Sequence, residues 1–125
     1  MASIPSKSKP QENSWLWLIK AVTGIFVLII LMVHFIVNHI TAPQGLLTYA
    51  DVVKYYQHPF IPVMEIGFLV FVVSHALIGL RGVVLDLHPS PALVRVLNWL
   101  FSIAGIGAIA IGSFIIITIA SRGVA

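Results

Sequence analysis

Three long apolar stretches leave this chain few ways to fold. They run from Ser14 to Ile40, from Phe60 to Leu87, and from about Leu93 to Ala120. Each exceeds the roughly 20 residues a helix needs to cross the hydrocarbon of a bilayer. With no water at that depth, a spanning segment must pair its own backbone groups, and a helix does so. The expected fold is all-α: an integral membrane domain of three transmembrane helices. Composition agrees. The chain is 59% hydrophobic and 9% charged, where soluble domains carry about a quarter charged residues. The first stretch is longer than the roughly 7–15 residues of a signal-peptide core and lacks its small-residue cleavage site.

The polar segments divide the rest. Residues 1–13 read as a flexible arm, and residues 14–122 as a single three-helix membrane domain. Between the first two stretches, Tyr49, Val52, Val53 and Tyr56 recur at helical spacing, with Asp51, Lys54 and Gln57 on the other side. Thr48 followed by Asp51 resembles a capping pair. This segment is expected to be a short amphipathic helix lying in the membrane interface. The second connection, His88-Pro89-Ser90-Pro91, is brief, and its prolines end one helix and start the next.

Charge sets the topology. Lys7, Lys9 and Lys20 lie before or at the start of the first stretch, and Arg81 and Arg95 flank the second connection. Lys54 and Arg122 stand alone on the other side. The positive-inside rule predicts a cytoplasmic N-terminus and an external C-terminus; the membrane expected is a bacterial-type inner one. No dense basic run suits nucleic acid. The absence of cysteine excludes disulfides, and also an iron–sulfur cluster held by this chain, since thiolates hold such clusters.

The second stretch carries His75, Arg81 and Asp86. An ionisable group inside a span is a functional candidate by default. His75, Gly79, Gly82 and Asp86 share one stripe, whose glycines would clear space beside the histidine for a second helix or a flat macrocycle. His75 lies about 16 Å from Asp86 along the axis, near mid-membrane. Thr23, Val27, Ile30, His34 and Asn38 form a stripe on the first helix, with His34 toward the outer side. The third helix has a ridge of small residues at Ala104, Ala108 and Gly112 and no polar stripe. His75 could bind haem iron through one ring nitrogen or bridge two packed helices. Arg81 and Lys20 could meet a haem propionate or snorkel to lipid phosphate. Asp86 could serve a quinone, cap a helix or pair with an arginine. These residues alone leave haem, quinone and plain structure open.

The order of these residues resembles the hydrophobic membrane-anchor subunits of succinate dehydrogenase (succinate:quinone oxidoreductase), in particular the shorter of the two cytochrome b anchors. His75, Gly79, Leu80, Arg81 and Asp86 match that family's central helix, with the same gap from histidine to aspartate. Ala21-Val22-Thr23-Gly24 loosely matches its first-helix motif. His34 and Asn38 fall where bacterial members carry a histidine and an asparagine, and Pro59-Phe60 precedes the second helix as expected.

The resemblance implies a subunit that catalyses nothing alone. It would pair with a companion anchor, hold haem b, and dock the iron–sulfur and flavoprotein subunits so that electrons reach a quinone, ubiquinone or menaquinone. His75 matches the axial ligand position, and His34 the ligand of a second haem in members that bind two. Arg81 and Lys20 would partner the propionates, and Asp86 and Thr23 would belong to the quinone site. One departure stands out: many members carry tyrosine directly after the aspartate, where this chain has Leu87. A fumarate reductase anchor fits the same residues, and a non-redox scaffold or proton relay through His75 and Asp86 is the alternative of another class.

Overall fold

The structure, a computed structural model, describes residues 13–40 and 47–124, without the side chains of Asn38 and Val124. The expected arm up to residue 12 and the Asn38 side chain of the first stripe lie outside the described residues. Four α-helices follow in order: α1 (Ser14–Phe35), α2 (Tyr49–Tyr56), α3 (Phe60–Asp86) and α4 (Pro91–Ser121). No strand occurs among the described residues. Helices α1, α3 and α4 are each long and apolar enough to span a membrane.

Local chemistry sets the helix ends. Asn13 accepts the Trp15 N–H at 3.2 Å and caps α1. The last turn of that span, Ile36–Ile40, widens to the looser hydrogen-bond spacing of a π turn. The expected capping pair forms in full: Asp51 N–H donates to Thr48 Oγ1, and Thr48 N–H donates to Asp51 Oδ2 at 2.9 Å. The Thr48 bonds hold the Asp51 carboxyl below the usual carboxylate range. Ser90 accepts from Leu93 N–H, and Pro91 occupies the first turn of α4. Between α3 and α4, His88 takes a left-handed φ of 53°.

Helix α3 is the middle member. Both α1 and α4 pack on it, and among the described residues no backbone contact joins α1 to α4. Phe26 and Phe71 stack across α1 and α3 with ring centroids 5.0 Å apart. Gly105 and Gly112 let α4 approach α3, where a Cβ would press on Leu77 and Leu69 respectively. The expected ridge is thus displaced: Gly112 belongs to the packed face with Gly105, while Ala104 and Ala108 are exposed. Helix α2 lies across the end of the bundle that holds the start of α3 and the end of α4. Gln57 Nε2 there donates to Ala120 O at 3.5 Å.

Among the described residues no large apolar side chain is buried, whereas the polar Thr23 and Glu65 are. Trp15, Trp17 and Trp99 are all exposed. This inside-out pattern suits a chain whose apolar surface meets lipid or neighbouring subunits.

Candidate functional site

Around His75, α1 and α3 meet closely. The His75 Nδ1 lies 3.0 Å from the Lys20 carbonyl and 3.3 Å from Thr23 Oγ1. A carbonyl can only accept, and the Thr23 hydroxyl donates to Ile19 O at 2.7 Å. Nδ1 therefore carries the ring proton, which leaves Nε2 of the neutral imidazole with its lone pair. A bond from one ring nitrogen to a backbone carbonyl is how proteins fix the tautomer and aim of a metal-binding histidine.

The glycine that makes room is Gly24 of α1. A Cβ there would stand 2.9 Å from His75 Cε1. The ring borders a groove of about 380 Å³ with Trp17, Ala21, Gly24 and Leu28. Gly79 does not touch the histidine: a Cβ there would meet nothing within 4 Å, so its face stands open. The arrangement fits a flat group ligated by one imidazole: Nδ1 is held by the Lys20 carbonyl, Gly24 gives the ring itself room, and the groove that the ring borders has apolar walls. Among the described residues no group of three or more His, Cys, Asp or Glu side chains could hold a bare metal ion.

The other expected residues are dispersed. Thr23 is buried and joined to His75, while Asp86 is exposed at the far end of α3. Arg81 faces α4, where its Nε donates to Asn98 Oδ1 at 2.8 Å. Helix α4 thus supplies polar chemistry that its lack of a stripe did not announce. Lys20 contributes its carbonyl to His75.

His34 has a partner that the sequence reasoning missed. Its Nε2 lies 3.3 Å from Oε1 of Glu65, a carboxylate on α3 that is only 8% exposed. The imidazole also lies against Phe68, with ring centroids 5.2 Å apart. The pair borders a cavity of about 190 Å³ closed by Tyr55 and Tyr56 of α2. Burial, then the charges of Glu65 and Tyr55, push the Tyr56 hydroxyl up to about 12. Burial and Glu65 raise Tyr55 as well. The signal for Glu65 was available: it is an acid inside a span, ten residues before His75.

Fold and site together define a multi-pass membrane protein of three spans with a fixed histidine between two of them. Residues 5–116 match the succinate dehydrogenase/fumarate reductase transmembrane subunit family, and the chain belongs to that family. A succinate dehydrogenase hydrophobic membrane anchor subunit from Archaeoglobus fulgidus is 34% identical over 70 residues. That alignment covers 56% of this chain and 59% of the relative, so the chain spans less than two thirds of the relative's length. No solved structure matches the chain significantly.

Proposed function

We propose that the chain is the haem b- and quinone-binding anchor of a succinate:quinone oxidoreductase. The observation that carries this reading is the His75 imidazole, with Nδ1–H on the Lys20 carbonyl and Nε2 available beside Gly24. A haem bound there would supply a one-electron carrier within the membrane. His75 Nε2 would hold its iron together with a histidine of a companion anchor. Thr23 and the Lys20 carbonyl hold the ring in place, and Trp17, Ala21 and Leu28 give the groove apolar walls.

Asp86 sits at the end of α3, which the distribution of basic residues assigns to the cytoplasmic side. In this reading it holds a proton for an incoming quinone near the docked iron–sulfur and flavoprotein subunits. Thr23 leaves the quinone site and joins the histidine. The His34 Nε2 is already engaged by Glu65, which favours one haem on this chain over two.

The test is a reduced-minus-oxidised optical spectrum of the purified complex with wild-type and His75→Ala chains. A b-type α-band lost in the variant, with the subunits still assembled, supports the ligand. An unchanged band refutes it. Fumarate reduction is the same chemistry reversed, and potentials measured on that complex decide the direction.

A further inference from the structure

Arg81 is a permanent charge inside a span, and it lies on a different groove from His75. Its Nε is committed to the neutral Asn98 amide. Among the described residues no carboxylate pairs with it, and the carboxylate that lies inside a span, Glu65, faces His34 instead. Its two terminal amino groups can therefore still donate, in the forked geometry that suits phosphate. Arg81 is half-buried, five residues and about 7.5 Å inside the end of α3. A long basic side chain bridges such a distance to the interface.

The groove beside it has about 520 Å³ and runs along α3 and α4, with Leu16 of α1 at its edge. Ser74, Arg81, Asn98 and Ser102 are its polar members. Leu77, Ile106 and Ile109 continue it, over a floor that Gly105 keeps low. From Asn98 to Ile109 it extends about 16 Å along the helix axis. That is about half of the roughly 30 Å hydrocarbon core, the depth of one leaflet.

We propose that this groove binds one anionic phospholipid, its phosphate on the Arg81 guanidinium and one acyl chain along Leu77, Ile106 and Ile109. The charge requires an anion, and the apolar remainder requires a single-leaflet chain. A protein occupant would have to bring its own acceptor to the two remaining amino groups of Arg81, whereas a phospholipid already places an anionic phosphate at the rim. The site depends on the three spans and is independent of any haem or quinone.

The test uses the purified, delipidated complex and native mass spectrometry. Dioleoylphosphatidylglycerol is the probe and dioleoylphosphatidylcholine the neutral comparison. Wild-type complex is expected to rebind one phosphatidylglycerol per chain, with a preference of about fivefold, the worth of one basic side chain at an anionic lipid surface. Arg81→Gln is expected to lose the preference and Arg81→Lys to keep most of it. Ser102→Phe, which fills the groove from an exposed position, is expected to lose both lipids. A photoreactive side chain at residue 102 is expected to cross-link lipid. Equal preference in wild type and Arg81→Gln overturns the proposal. So does a cross-link to a neighbouring subunit, which would make the groove a protein interface.

Discussion

The His75 site works by single-atom fits, so conservative changes should separate the groups that matter. Gly24→Ala would put a methyl 2.9 Å from His75 Cε1 and turn the ring off the Lys20 carbonyl. The expected result is a shifted or weakened α-band, with Gly79→Ala unchanged because nothing lies within 4 Å of its added methyl. Optical spectra of the two variant complexes check this. At the other end, Glu65→Leu strands the His34 imidazole while Glu65→Gln keeps a hydrogen-bond partner. Leaving a buried hydrogen-bonding group without its partner costs about 1–3 kcal/mol. The lower part of that range is expected, since His34 keeps 28% side-chain exposure. Thermal unfolding of the two variants measures the difference. His75 was legible because an ionisable residue in an apolar run is conspicuous by itself. Gly24 was not, because its use depends on which turn of α1 meets α3, and pattern on one helix does not reveal the register of two. Glu65 was visible as an acid in a span, but its partner lies thirty-one positions earlier.

At the level of elements, apolar length and capping chemistry read well. The spans begin where expected, at Ser14 and Phe60, and α4 begins two residues earlier, at Pro91. The short amphipathic helix is present at Tyr49–Tyr56 with its capping box. The first span departs from expectation by loosening over its final turn, Ile36–Ile40, a change of hydrogen-bond spacing that hydropathy does not register. Thr48→Ala removes the cap and is expected to cost α2 about 1 kcal/mol, seen as faster amide exchange over Tyr49–Tyr56. Acid should do the same. The Asp51 carboxyl is held below its ordinary value. Its contribution is present above about pH 3.9 and is lost as pH falls through the lower folded value. Alkali acts on the same helix with the opposite sign. Tyr56 is raised to about 12, so its contribution is intact below about pH 10 and is lost as pH climbs toward the folded value. Amide exchange of α2 across both ranges checks both signs.

The described residues form a row of three spans, with α3 in the middle and both broad faces open. The lack of native cysteine makes its orientation easy to test. In intact cells a membrane-impermeant maleimide is expected to label Gln57→Cys and to spare Ser90→Cys until the cells are permeabilised. The reverse pattern would turn the domain over and move Asp86 to the outside. The absence of a fully buried apolar side chain among the described residues also bears on the cell. Lipid alone gives the helices little hydrophobic reason to stay together, so an orphan copy has no closed form to retreat into. In the proposed complex those unfinished faces would mark an unassembled copy for surveillance proteases. The amount of this protein a cell keeps is then expected to follow the number of partners it makes, with synthesis of the chain itself setting only the ceiling.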